Sequence, residues 1–147
     1  MTQVAYGSPA GATVPALNSA TPYVATLGRL LLAAIFLLSG FGKLTAAAGT
    51  IGYIQSAGLP APTLAYAIAV IVELGGGLLL VAGYQTRIVA GVMAVFTLAT
   101  AFAFHSNFGD QNQMIHFLKN IAITGGLLQV VAFGAGALSL DARRTRA

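Results

Sequence analysis

The sequence predicts an all-α fold, a transmembrane four-helix bundle, from its composition and from four long apolar segments. Of its 147 residues, 57% are hydrophobic and 7% are charged, whereas soluble domains have about 25% charged residues. A spanning helix needs roughly 20 mainly apolar residues. Because the apolar runs are continuous, they do not fit the alternating strands of a membrane barrel. The four segments are residues 23–43, 63–83, 86–105 and 113–134.

The first helix is predicted to begin at Pro22, with Thr21 as its cap. Residues 1–22 are rich in Gly, Ala, Ser, Thr and Pro, which predicts a disordered N-terminal tail. This tail has no Lys or Arg and so lacks the basic start of a cleaved signal peptide. A four-helix domain over residues 23–138 and a basic cytoplasmic tail over residues 139–147 complete the predicted organisation.

The connections between the segments predict how the helices are arranged. Gly83 and the short link after it leave room only for a tight turn, so the second and third helices are expected to be antiparallel neighbours. Residues 43–62 form the longest connection. The spacing of Ile51, Tyr53 and Ile54 within it predicts a short helix in the membrane interface.

The distribution of basic residues predicts that both termini are cytoplasmic. With four spans the two ends of the chain share one side, and Arg and Lys concentrate on the cytoplasmic side of membrane proteins. The net charge of +4 does not indicate nucleic acid as a partner, because no basic face is present. The expected partner is the lipid bilayer. The basic residues on the predicted inner side are Arg29, Arg87, Arg143, Arg144 and Arg146, against Lys43 opposite.

Glu73 is the main candidate for a functional residue because it lies near the middle of the second segment. A carboxylate at the centre of a bilayer costs on the order of 3 kcal/mol, so such groups face the bundle interior and find partners. Lys119, about 9 Å below the outer end of its helix, and Arg29 are the partners considered. Arg29 and Lys43 are otherwise interpreted as interface anchors. An ion pair would keep Glu73 charged, whereas an unpaired Glu73 could carry a proton.

The helical period places polar residues on inward stripes of three segments. The fourth segment has Lys119 at the edge of its stripe. The predicted stripes are Arg29, Ala33, Phe36, Gly40 and Lys43 on the first segment, Tyr66, Glu73, Gly77 and Tyr84 on the second, and Gln113, His116, Asn120 and Thr124 on the fourth.

His105 and His116 are predicted to form a polar outer mouth. Their spacing of eleven residues matches no metal motif, and no thiol or third carboxylate accompanies them, so no metal site is expected. The chain contains no cysteine. Disulfides, thiolate metal sites and a thiol relay within the chain are therefore excluded.

Three segments of the sequence resemble the DoxX family, and the likeness extends over about residues 27–138. They are residues 29–44 (RLLLAAIFLLSGFGKL), 73–87 (ELGGGLLLVAGYQTR) and 117–128 (FLKNIAITGGLL) together with His105. The resemblance implies a four-helix protein of the bacterial inner membrane. It also implies functional polar positions, which here are Arg29, Lys43, Glu73, Arg87, His105, Lys119 and Asn120.

Some DoxX-like proteins are described as subunits of quinone-linked or thiol-linked oxidoreductase systems. With no cysteine and no visible haem, flavin or iron–sulfur ligand set in this sequence, any such chemistry would reside in a partner protein. The resulting hypothesis is a non-catalytic subunit or anchor with quinone as the candidate ligand. Lys119, Asn120, His105 and His116 would polarise the quinone carbonyls and Glu73 would handle protons; catalytic residues are unknown.

Two other functions remain open from the sequence. The first is a small-solute or proton-coupled carrier that uses Glu73 as its coupling site. The second is a structural membrane protein in envelope stress, in which the polar residues specify helix packing. Whether the chain forms a homo-oligomer is also left open.

Overall fold

The computed structural model describes residues 15–144, with side chains from residue 22 onward. No strand occurs in this part of the chain, which confirms the all-α prediction. Within it, four helical segments are long and apolar enough to cross a membrane: Pro22–Thr45, Pro62–Ala82, Thr86–Phe104 and Gln111–Phe133. The helices are α1 (Pro15–Thr45), α2 (Ala47–Ser56), α3 (Pro62–Val70), a π-helical segment (Ile71–Gly75), α4 (Gly76–Ala82), α5 (Thr86–Phe104), α6 (Gln111–Phe133) and α7 (Leu140–Arg144).

Helix α1 begins at Pro15 and contains Pro22, so the predicted start at Pro22 is wrong. Either proline is compatible with a first helical turn, where the missing N–H costs nothing, and sequence rules alone do not choose between them. Near Pro22, the hydroxyl of Thr26 donates to the Pro22 carbonyl at 2.8 Å. Residues 1–14 of the predicted tail and residues 145–147 lie outside the described part of the chain.

Helix α2 packs against one end of the bundle, where the sequence predicted a short helix. Ile54 is buried, and the ring of Tyr53 stacks on Phe104 with centroids 5.4 Å apart. We call this end, which also holds the loop between α5 and α6, the α2 end. The opposite end, where α4 turns into α5, is the Gly83 end.

The predicted turn after α4 is confirmed. Gly83 adopts a left-handed conformation with φ of 65°, a region that glycine enters without steric cost. Its N–H donates to the Leu80 carbonyl at 3.2 Å, and the next N–H, of Tyr84, donates to Leu79 at 3.1 Å. This pattern ends α4 and sends α5 back beside it.

The C-terminal segment closes the Gly83 end. The Asp141 carboxylate accepts hydrogen bonds from the backbone N–H groups of Gln85 at 2.8 Å and Thr86 at 2.9 Å, and its own N–H donates to the Gly83 carbonyl at 2.9 Å. Burial opposes ionisation, but these N–H groups and Arg144 outweigh it, and the pKa of Asp141 lies below its usual range. Asp141 thus caps α5 from a distant part of the sequence.

The interior of the bundle is made largely of small and medium apolar side chains. Ala33, Leu80 and Leu127 are fully buried and Met93 nearly so. A Cβ on Gly76 would lie 2.7 Å from the Met93 sulfur. Close helix contacts between small residues are the usual means by which membrane helices associate.

Candidate functional site

An ion pair between Lys43 and Glu73 forms the centre of the site. The Lys43 ammonium donates to both carboxylate oxygens of Glu73 at 2.9 Å and to the hydroxyl of Ser39 at 2.8 Å. Ser39 in turn donates to Glu73 Oε1 at 3.3 Å. The side chain of Lys43 is 25% exposed and that of Glu73 is 7% exposed. All three ammonium hydrogens of Lys43 are therefore directed at Glu73 and Ser39.

A close backbone approach brings α1 and the π-helical segment together. A Cβ at Gly40 of α1 would lie 2.8 Å from Leu74 and 3.1 Å from the Glu73 Cβ. Only glycine permits this approach, which is close enough for Lys43 to reach the carboxylate. Glu73 also lies within the π-helical segment Ile71–Gly75, and such insertions occur frequently at functional sites.

The partner of Glu73 in this ion pair is Lys43, so the prediction of Lys119 or Arg29 as its partner is wrong. Helix α1 ends just after Lys43, at Thr45, whereas α3 begins at Pro62, about three turns before Glu73. The first turns of α3 therefore extend beyond the end of α1 and pack beside α2. Lys43 consequently lies at the depth of Glu73 and pairs with it, and its role as an interface anchor stays a prediction.

A cavity of about 740 Å³ lies beside the ion pair toward the α2 end. Helices α1, α2, α3, α5 and α6 all contribute to its wall, and most of the lining is apolar. The polar residues in its lining are Ser39, Lys43, Thr50, Tyr53, Glu73, Thr97, Thr100, His105 and Asn120.

The two histidines lie together at the α2 end. Their rings stack with centroids 5.0 Å apart, and His105 Nδ1 is 2.8 Å from Gln113 Oε1. His105 lines the cavity, as does Asn120, whereas His116 stacks behind His105. Within residues 15–144, no group of three or more His, Cys, Asp or Glu side chains is arranged to hold a metal ion.

Two predicted site residues lie away from this cavity. Lys119 is exposed on the outer surface of α6, one residue from Asn120 but rotated about 100° around the helix, so the prediction that it reaches Glu73 is wrong. Arg29 lies at the Gly83 end, 2% exposed, with its Nη2 donating to the Leu138 carbonyl at 2.9 Å. It is neither a partner of Glu73 nor an exposed anchor.

A model of the DoxX family matches residues 24–106, which is more than half of the chain. The chain belongs to the DoxX family. It is 41% identical to "Inner membrane protein YqjF" of Escherichia coli strain K12 over 115 residues, covering 78% of this chain and 87% of that protein. It is 38% identical to "Inner membrane protein YphA" of the same organism over 131 residues, covering 86% and 94%. No solved structure matches it.

This DoxX protein is therefore a multi-pass protein of the bacterial inner membrane. The cytoplasmic location of its termini remains a prediction. The family match and the four apolar helices agree with the resemblance found in the sequence.

The sequence interpretation missed several residues of the cavity in this DoxX protein. Ser39 bridges the ion pair, and its place four residues before Lys43 on the same face of the helix was the signal that could have found it. Thr97 and Thr100 donate their hydroxyls to carbonyls of their own helix, which lets such residues sit in an apolar helix unnoticed. Tyr66, which the sequence placed on the inward stripe of the second segment, lies outside the cavity lining. It donates to the Lys43 carbonyl at 3.3 Å and ties α3 to the end of α1.

Proposed function

We propose that this DoxX protein is a non-catalytic subunit of a membrane redox system and holds a quinone head group in the cavity beside Lys43 and Glu73. The observation that carries the proposal is a charged, hydrogen-bonded pair set in the wall of a mostly apolar cavity of about 740 Å³. Ligand sites typically measure about 300–1,000 Å³ and combine apolar walls with a few polar groups.

A quinone ring matches the chemistry of this lining. It is a flat apolar ring with two carbonyl oxygens that accept hydrogen bonds but carry no charge. The Asn120 amide offers donors at the wall, and the ammonium of Lys43 is held there by Glu73. Aromatic faces are supplied by Tyr53 and Phe104, which stack on one another at the edge of the cavity.

We propose the role of a subunit because the group that transfers electrons is assigned to a partner protein. The sequence has no cysteine. In the proposed system, electrons moving to or from the quinone pass through a cofactor held by a partner protein. Glu73, hydrogen-bonded to Lys43 and Ser39, would accept or release the accompanying proton.

The experiment measures binding of a tail-less benzoquinone to the purified protein in lipid nanodiscs by equilibrium titration. We expect Lys43→Met and Glu73→Gln to weaken binding by about tenfold, because each breaks the ion pair beside which the head group lies. Lys119→Met is the matched control, because it removes a lysine from a spanning helix but outside the cavity, and it should change binding less than about twofold. Absence of binding to the wild type, or an equal loss in Lys119→Met, would reject the proposal.

A proton-coupled carrier for a small solute is a second candidate. It is favoured by the position of Glu73, whose carboxylate is nearly buried and lies near the middle of the segment Pro62–Ala82, because coupling groups of carriers lie near the bilayer midplane. Proteoliposomes containing wild type or Glu73→Gln distinguish the two functions. Equal flux of candidate solutes and protons in both would remove support for a carrier.

A structural role in envelope stress is the remaining proposal. In that case the ion pair would only fix the packing of α1 against the π-helical segment. Glu73→Ala would then lower the thermal stability of the protein while leaving any bound ligand unchanged.

A further inference from the structure

A second cavity, of about 580 Å³, lies between α1 and α6. Its wall consists largely of apolar and small side chains, with Arg29 and Gln129 toward the Gly83 end. We call it the α1–α6 groove. It is formed chiefly by Gly28, Leu32 and Ile35 of α1 and by Gly126, Val130 and Phe133 of α6.

The groove adjoins the polar cavity that holds the ion pair. Ile35 and Ile123 line both. The lining residues of α1 pass from the groove into the polar cavity at steps of three or four, so they form one stripe of the helix. From Ala25 to Lys43 this stripe is about 27 Å long. The stripe is Ala25, Gly28, Leu32, Ile35, Ser39 and Lys43.

The groove lies open because α1 and α6 make few close contacts with each other. Helix α6 lies along α5, and α1 lies along α4 and the π-helical segment. Between α1 and α6 the close approach is at Gly126, where a Cβ would lie 3.2 Å from Leu32. At the rim, Leu31 is 65% exposed and Phe133 is 79% exposed, so the groove faces the hydrocarbon of the bilayer.

We propose that the ligand is a membrane lipid with an uncharged, hydrogen-bonding ring and one long hydrocarbon tail, with the ring in the polar cavity and the tail in the α1–α6 groove. This inference rests on the proposed function and specifies its ligand class. Bilayer chains are as apolar as the groove, so the tail raises affinity through its fit to the groove, which aligns the ring beside Lys43 and Glu73. The ligand reaches the site sideways from the bilayer.

The charges of the site argue against a phospholipid as the occupant. The ammonium of Lys43 already directs its hydrogens at Glu73 and Ser39. A phosphate placed in the cavity would bring a second anion next to the Glu73 carboxylate, and like charges at that range repel each other. An uncharged ring avoids this cost, and its tail fills the same groove.

The first test maps the tail directly. A benzoquinone whose long tail ends in a diazirine is bound to the wild-type protein in nanodiscs, photolysed, and located by peptide mass spectrometry. We expect labels within residues 25–32 and 126–133. Labels spread over the whole lipid-facing surface, or competition by an anionic phospholipid but not by an unlabelled tailed quinone, would overturn the inference.

The second test places a larger side chain in the α1–α6 groove. Gly28 lines the groove, and a Cβ added to it would meet no other atom within 4 Å. Gly42 on the same helix is equally open but lines neither cavity. We expect Gly28→Leu to weaken binding of the tailed quinone by about tenfold, with tail-less quinone affected less than about twofold. Gly42→Leu should affect neither ligand.

The outcomes of the second test separate this inference from the proposed function. If tail-less quinone binds but Gly28→Leu and Gly42→Leu act alike on the tailed ligand, only the tail site is wrong. If neither ligand binds the wild-type protein, the quinone function and the tail site both fail.

Discussion

The two ends of the bundle each hold a cation, but in different surroundings. At the α2 end, Lys43 is paired with Glu73, its side chain is 25% exposed, and a large cavity lies beside it. At the Gly83 end, Arg29 is 2% exposed and donates to the Leu138 carbonyl. A cation inside the bundle therefore does not by itself mark a head-group site; the α2 end is distinguished by a cavity with many polar groups in its lining, whereas the groove beside Arg29 is largely apolar.

The Gly83 end is instead a tightly packed junction of distant segments. A Cβ on Gly83 would collide with the Arg29 guanidinium and would lie 2.5 Å from the Ser139 Cβ. The carboxylate of Asp141 holds the same junction together by capping α5. These contacts leave no room for a ligand beside Gly83.

The largest expected effect on stability comes from a substitution that disrupts the Gly83 end. Gly83→Ala should destabilise the protein by about 3 kcal/mol, because it combines a left-handed alanine with overpacking against Arg29. Thermal unfolding in detergent measures it. Gly42→Ala, at an exposed position with no atom near its Cβ, should leave stability unchanged or raise it slightly. An unaltered unfolding midpoint in Gly83→Ala would show that the end is not closed as described.

The next effect tests the ion pair as a unit. Lys43→Met leaves the Glu73 carboxylate buried without its cation and should cost about 2 kcal/mol, less than for a fully buried pair because Lys43 is partly exposed. The double variant Lys43→Met with Glu73→Met should recover most of that stability. Quinone binding should stay lost in the double variant. Recovery of binding together with stability would assign the pair a purely structural role.

The smallest effect concerns Asp141. Asp141→Asn should cost about 1 kcal/mol at neutral pH, because it removes one of the two carboxylate hydrogen bonds and the negative charge at the start of α5. Because the folded pKa of Asp141 is lowered, its ionised form stabilises the protein above the usual value of about 3.9, and this contribution disappears as pH falls through the folded pKa. The difference in unfolding midpoint between wild type and Asp141→Asn should therefore shrink at acid pH. A difference that is the same at pH 7 and in acid would refute the cap.

Several parts of the candidate site could be predicted from the sequence because they depend on helical periodicity. The inward stripe on α1 placed Ala33, Phe36 and Gly40 on the buried face, and all three are buried. The same period predicted that Asn120 faces inward, and it lines the cavity. Lys119 lies at the edge of that stripe. The prediction that it reaches Glu73 was wrong because its position around the helix directs its long side chain outward.

By itself, the amino-acid sequence determined the class of this protein, its spanning segments and the turn at Gly83. These features depend on hydrophobicity, segment length and local backbone preference, which are properties of neighbouring residues. Only the tertiary structure decided that Glu73 pairs with Lys43, that Asp141 caps α5 and that α1 and α6 separate to form a groove. Each of these depends on where helices end relative to one another, and packing between distant segments sets these relative positions.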